Sequence, residues 1–410
     1  MKHFYNMLAQ GKTQFHVVEQ SKAFLKEHGF KLIDMQDTTS LVPGERYMIS
    51  PFSSALFAFV ANDSKNIRIA AGHTDFPMLK LKPQPDISKK GYIQVNVEPY
   101  GGLIAKTWYD RPLGLAGKVV TAGDDFFKPH VHLYDSKKPL FVIPSLAPHL
   151  SRGAKEGEPD MQKELIPIMG CEEAPVEHYI INYISKELDI APEDILDYDL
   201  YLYIHGEPVI AGAKDELLLS PRIDNISSVS AICEALCSDS IKNCIAFGAF
   251  FDNEEVGSRS KQGADSVLLQ QIIRKIAPDY ETGADIFNIS VDVAHATHPN
   301  YTEKSDITND IVLGGGVVLK TSASQRYVTD SEAGAVITAI CRNNNIRLQK
   351  QVNRSGMPGG QTLGPIMSSY IPAKSVDIGI PLLAMHSACE TAHTADYLEL
   401  KKLLTCYFEY

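Results

Sequence analysis

Cys244-Ile-Ala-Phe-Gly-Ala-Phe-Phe-Asp-Asn-Glu-Glu-Val-Gly257 decides how this chain is read. It opens as an apolar run of strand length and closes on two adjacent glutamates, Glu254 and Glu255. Neighbouring carboxylates at the end of a buried strand are costly unless positive charge lies beside them. A pair of metal ions is one such partner, and the rest of the chain offers matching ligands. They are His73 in Gly72-His-Thr-Asp75, Asp224 in Pro221-Arg-Ile-Asp-Asn225, Asp292 in Ser290-Val-Asp-Val-Ala-His295 and His386 in Met385-His-Ser387. Together they read as a two-metal hydrolase.

Strand-like and helix-like stretches alternate around this run. Before it, Gln14–His28 has a helical repeat ending at Gly29, and residues 53–60 and 67–71 read as strands leading to His73. After Ala211 come a helical face (Val229, Ile232, Cys233, Leu236), a helix over Ser266–Ile276, a strand over Ile286–Val293, a helix over Asp330–Arg342 and a strand over Ser375–Ile380. That order predicts an α/β fold, a helix-flanked mixed β-sheet with ligands gathered in loops at strand ends.

From about Gln84 to Gly206 the texture changes to short alternating strands such as Tyr92–Val97 and Asp199–Ile204. Gly and Pro punctuate the region, a polar loop spans Ser151–Glu164, and Val176–Leu188 is its best helix. The division expected is a catalytic domain over 1–84 and 209–410, interrupted by an inserted β-rich domain over 85–208.

The chain's 410 residues fit two domains, or one large domain with an insertion. A hydrophobic share of 44% is ordinary for a globular core. The formal charge of -11 argues against nucleic acid and anionic membranes as partners. No apolar run approaches the roughly 20 residues that span a bilayer, and the N-terminus carries no signal-peptide pattern. Seven cysteines without a CxxC pair, four of them (Cys233, Cys237, Cys244, Cys341) in apolar patterns, suit buried thiols in a reducing cytoplasm.

Two cations a few ångströms apart ordinarily need a bridging carboxylate, with a histidine and a further carboxylate on each. The assignment expected is Asp224 as bridge, His386 and Glu255 on one ion, and His73 and Asp292 on the other. For Asp224 a helix N-cap is the competing role. Nitrogen and oxygen donors without thiolate suit zinc and also admit manganese or cobalt. Adjacent side chains on extended backbone face opposite ways, which leaves Glu254 as the general base that takes a proton from water and returns it to the leaving amine. Asp75, two residues from His73, is placed to hold the other imidazole nitrogen.

These blocks resemble the aspartyl aminopeptidase family of two-zinc metallopeptidases. The similarity is carried by Ala71-Gly-His-Thr-Asp-Phe-Pro77, Ser220-Pro-Arg-Ile-Asp-Asn225, Asp252-Asn-Glu-Glu-Val-Gly-Ser258, Asp292-Val-Ala-His-Ala-Thr-His-Pro-Asn300, Gly356-Met-Pro-Gly-Gly-Gln-Thr-Leu-Gly-Pro365 and Leu383-Ala-Met-His-Ser387. The resemblance implies the same ligands and base, a zinc-exopeptidase type of catalytic domain, and peptide substrates with a free N-terminus. It further implies that the inserted domain serves dimerisation and that dimers assemble into a dodecamer.

It also implies a substrate side. Lys320 matches a basic residue used by relatives that remove N-terminal Asp or Glu; an exposed strand-end lysine is the plain alternative. His149 resembles a residue lent to a neighbouring subunit's site, or is a surface-loop histidine. Gly359 and Gly360 would let a substrate approach the backbone, or form a turn after Pro358. His295 and His298 read as pocket or core hydrogen-bonding groups. Gln361 stands where many relatives carry a small hydroxyl residue, and some relatives prefer neutral N-terminal residues. The rival readings are a two-metal deacylase or dipeptidase acting on small amides, and an assembly protein with a vestigial site.

Overall fold

Strand Asn66–His73 occupies the middle of a nine-stranded sheet. It runs parallel to Ile245–Phe251 on one side and to Asp285–Val291 on the other. Beyond Ile245–Phe251 the sheet continues antiparallel into Ala55–Val60 and Arg46–Phe52 and ends at Lys31–Leu32. On the other side Lys374–Gly379 pairs parallel with Asp285–Val291, Val317–Thr321 antiparallel with it, and Leu348–Val352 closes the edge. The sheet is mixed, as the alternation of elements predicts. The computed structural model describes residues 1–410 except 38–40, 152–156, 173–176, 281–283 and 358.

Every residue of Ile245–Phe251 is buried, which is why the run is continuously apolar rather than alternating. Phe247, Ala249 and Phe251 face a core shared with Phe57, Phe59, Ile69, Leu269 and Met367. Phe59 and Phe247 stack at 6.0 Å, and Phe57 meets Phe251 edge-on at 5.5 Å. Truncating one such ring to alanine costs about 3–5 kcal/mol. On the opposite face, helix Ile223–Leu236 lies so close that a Cβ on Gly248 would stand 2.7 Å from Leu236 and 3.0 Å from Ile232. The helical face read from the sequence packs on that spot.

Helix Gln14–Glu27 ends before Gly29, whose φ of +86° suits glycine. Helix Ser331–Asn343 starts at Asp330, whose carboxylate accepts the Ala333 N–H at 2.8 Å. Helices Lys2–Gln10, Leu363–Tyr370 and Thr394–Glu409 go beyond the expectation from sequence.

These elements form one compact unit, made of Met1–Asp75, Pro208–Met385 and Glu390–Tyr410. A second unit comprises Phe76–Glu207 with His386–Cys389. Its six-stranded sheet, in the order Lys128–Asp135, Leu113–Asp125, Ile195–Ile204, Met78–Lys89, Tyr92–Tyr100, Ile168–Cys171, is antiparallel throughout. Its helix runs Tyr179–Leu188; Val176, the expected start, lies outside the described residues.

Candidate metal centre

Three adjacent strands deliver their last residues to one place. His73 ends the central strand, Glu254 and Glu255 follow Ile245–Phe251 in a single 3-10 turn, and Asp292 follows Asp285–Val291 directly. Asn253 and Gly257 bracket that turn in left-handed conformation, with φ of 64° and 97°. The backbone there is a turn, not the extended strand from which opposed glutamates are expected. Both glutamates reach the His73 imidazole, Glu255 in company with Asp224 and Glu254 with Asp292.

Asp224 arrives from the other direction, at the start of helix Ile223–Leu236. Its own φ/ψ of -75° and 107° are not helical, and the Asp224–Asn225 peptide is cis. Asn225, with φ/ψ of -121° and 25°, is not helical either, so the regular helix begins beyond the pair.

His73 Nε2 lies 3.4 Å from Asp224 Oδ1 and 3.6 Å from Asp292 Oδ1, making no hydrogen bond among the described residues. Ligand atoms of His73, Asp224 and Glu255 fall within 4.8 Å of one another, as do those of His73, Glu254 and Asp292. Such spacing suits donors sharing cations. The sets hold nitrogen and oxygen only, matching the ligand preference of zinc.

Asp75 is fully buried and holds two parts of the cluster. Its carbonyl oxygen accepts from His73 Nδ1 at 3.0 Å, so Nδ1 carries the hydrogen and the Nε2 lone pair faces the carboxylates. Its carboxylate, expected to hold the imidazole, lies 3.4 Å from Nδ1 and instead takes backbone hydrogens, Oδ1 from Glu254 N–H and Oδ2 from Glu255 N–H, each at 3.1 Å.

The charge balance explains what the cluster needs. Burial opposes a charged His73, yet Asp224, Asp292 and Asp75 outweigh it and raise its pKa well above the usual histidine value. Burial pushes Glu254 up to about 8, with His73 opposing and Asp292, Asp75 and Asp224 reinforcing the rise. Asp252 rises to about 7 through burial and the nearby Asp75. Burial and the neighbouring carboxylates thus make negative charge at Glu254 costly unless positive charge lies beside it. The residues therefore fit divalent metal.

Lys320, in strand Val317–Thr321, is 1% exposed, which removes the exposed strand-end reading. Its Nζ donates to the Val293 carbonyl at 3.0 Å, lies 3.7 Å from Asp292 Oδ2 and sits 5.1 Å from the centre of the Tyr327 ring. Burial works against its charge, but Asp292, Tyr327 and Asp377 raise its pKa overall. Gly359 and Gly360 line a cavity of about 320 Å³ together with His295, His298 and Arg354. A Cβ on Gly359 would come 1.9 Å from Asn353 Nδ2, whereas Gly360 faces open space.

His386 belongs to the second unit, where its Nδ1 donates to the Gly102 carbonyl at 3.0 Å. That bond places the ring hydrogen on Nδ1 and leaves Nε2 with its lone pair. His149 lies in the same unit, on an exposed turn. Two residues the sequence reading missed support Asp224. Glu390, 2% exposed, accepts the Asp224 N–H at 3.1 Å, and Asn225 donates to the Val291 carbonyl at 2.9 Å. No local pattern marks either residue, because their partners are far away in sequence.

The family model for aminopeptidase I zinc metalloprotease (M18) matches residues 7–408. The chain belongs to the M18 aminopeptidase family. It is a zinc metalloaminopeptidase, which removes the deacylase and vestigial-site readings. A probable M18 family aminopeptidase 2 of Clostridium novyi is 37% identical over 408 residues, covering 96% of this chain and 94% of that protein. One of Pseudomonas aeruginosa is 35% identical over 417 residues, covering 98% and 96%. Among solved structures, the Ape4 and Nbr1 complex matches at TM-score 0.92 and 30% identity, over 99% of this chain and 84% of that one. An M18 aminopeptidase from Thermotoga maritima shares the fold at TM-score 0.88 and 23% identity, over 99% and 95%. The dodecamer of S. cerevisiae mApe1 shares it at 0.85 and 22%, over 100% and 96%. No helix among the described residues is long and apolar enough to cross a membrane.

Proposed function

We propose that this M18 enzyme works with two divalent ions per chain, most simply zinc, held by His73, Asp224, Glu255, Asp292 and His386, with Asp224 as the bridge. The observation that carries the reading is the seating of Glu254 and Glu255 on the Asp75 carboxylate, beside an imidazole whose Nε2 faces Asp224 and Asp292. Ions bound there would polarise the scissile carbonyl and make a water molecule acidic. Glu254 accepts the proton of the attacking water and delivers it to the leaving amine. Burial and the surrounding carboxylates make it a strong enough base for the first transfer. Asp75 keeps Glu254 and His73 in register through that proton movement.

On the substrate side, Lys320, His149, Gly359 and Gly360 receive the N-terminal residue, and the enzyme leans to Asp and Glu. A buried cation beside the site supports that lean. A second reading, preference for neutral residues, draws on the engagement of Lys320 with Val293 and Asp292. Aminoacyl chromogenic amides of Asp, Glu, Leu, Lys and Ala separate the two when wild type is compared with Lys320→Ala. A selective fall on Asp and Glu supports the acidic pocket, and an unchanged ranking removes it.

The antiparallel second unit, read as the inserted dimerisation domain over 85–208, would join chains into dimers and the dimers into a dodecamer. A cytoplasmic location accords with seven free cysteines. Light scattering of the purified chain tests the assembly: a stable monomer at micromolar concentration would end it.

A further inference from the structure

Gln351, Lys320 and Asp377 are register partners on three adjacent strands, and Ser290 follows on the fourth. Partners in register project to the same face of a sheet, so a polar row crosses an otherwise apolar interior. All four residues are buried. A buried carboxylate persists only where donors compensate it. The donors of Asp377 belong to segments beside the substrate residues.

Asp377 Oδ1 accepts the Thr362 hydroxyl at 2.6 Å, and Oδ2 accepts the Val328 N–H at 2.5 Å. Its own N–H donates to Thr329 Oγ1 at 2.9 Å. A Cβ on Gly364 would stand 2.6 Å from Oδ2, so the start of helix Leu363–Tyr370 lies directly on the carboxylate. Val328 follows Tyr327, the ring beside Lys320. Thr362 follows the stretch that holds Gly359 and Gly360. One carboxylate therefore pins both segments to the strand that pairs with Lys320.

We propose that Asp377 is a specificity-positioning residue: by holding Val328 and Thr362 it sets where Tyr327 and the Gly359–Gly360 stretch stand around Lys320, and so which N-terminal side chain of a peptide is accepted. The inference rests on the reading of Lys320 as a substrate-side residue. Asparagine offers one acceptor oxygen in the same shape, whereas alanine leaves a part-buried N–H and a buried hydroxyl without their partner.

The test compares wild type, Asp377→Ala, Asp377→Asn and Lys320→Ala on the five aminoacyl amides, with KM and kcat resolved and bound metal counted. In Asp377→Ala we expect KM for the best substrate to rise at least about tenfold, kcat to fall less than about threefold, the ranking to flatten and metal content to hold. Asp377→Asn should recover part of the ranking. Hydrogen exchange at the Val328 amide should quicken in Asp377→Ala while Leu319 is unchanged, whatever the activity. An unaltered ranking and KM, or equal losses on every substrate together with metal loss, overturns the proposal. If Asp377→Ala does not fold, Thr362→Val removes one donor at constant size, and an unchanged ranking there overturns it equally. A changed ranking in Asp377→Ala beside an unchanged one in Lys320→Ala supports the positioning role and removes only the lysine reading.

Discussion

The carboxylate of Asp75 accepts the backbone N–H of Glu254 at 3.1 Å, which ties the chain just after His73 to the turn that carries the glutamate pair. The second oxygen does the same for Glu255. Asp75 acts as a brace: its carboxylate holds two backbone donors, and its carbonyl holds His73 Nδ1.

Asp75→Ala should therefore damage metal binding before it damages the fold. Each unsatisfied buried donor costs about 1–3 kcal/mol, and losing an outer support of a metal site typically weakens affinity about 10–100-fold. Competition with a chromogenic chelator measures this. An affinity within about twofold of wild type would show that the brace is dispensable.

Glu254→Gln preserves shape and removes the base. Proton transfer by a positioned side chain contributes roughly 10²–10⁴-fold, so kcat should fall by that order while ion content, measured by plasma mass spectrometry, stays at the wild-type value. Near-normal turnover would remove Glu254 from the proton path.

Ion uptake should release protons. His73 is raised above its ordinary pKa and Glu254 lies at about 8, so at neutral pH the ion-free cluster holds protons that bound cations must expel. The sign follows: metal affinity falls as pH drops below about 8. Calorimetry in buffers of differing ionisation enthalpy reads the release directly. Chelation should abolish activity and zinc restore it; cleavage by fully metal-free protein would refute the metal chemistry.

His3 supplies a pH effect remote from the centre. Burial lowers its pKa from 6.5 to about 4, and its ring stacks on Phe24 at 3.6 Å. The unfolded chain then binds a proton that the folded chain does not, so stability is lost as pH falls from about 6.5 towards 4. His3→Phe should flatten that part of a plot of urea midpoint against pH. An identical slope in both proteins would place the effect elsewhere.

The candidate ligands His73, Glu255 and Asp292 were readable in the sequence because each stands at or just past the end of an apolar strand run. Supporting residues were not. Asp377 lies inside a strand, and its role depends on Thr362 and Val328, which only tertiary folding brings near. Glu390 reads as an ordinary polar position until Asp224 is set beside it, 166 residues away in sequence. Helix Leu363–Tyr370 carries Gly364 and Pro365, both poor helix formers, so local propensity points to a loop. Packing against Asp377 and the core overrides it. Lys320 was placed on a strand, but its burial follows from neighbours that periodicity does not reveal.

The central place of strand Asn66–His73 bears on how the enzyme is made. Its two flanking strands, Ile245–Phe251 and Asp285–Val291, are translated well over a hundred residues later. A chain emerging from the ribosome must therefore carry its middle strand unpaired on both sides while the second unit is synthesised. The earliest candidate ligand, His73, meets Asp224 and Glu255 only after more than half of the chain has been made. Loading of a metal at that cluster would thus wait until the Phe76–Glu207 stretch of the second unit has been made.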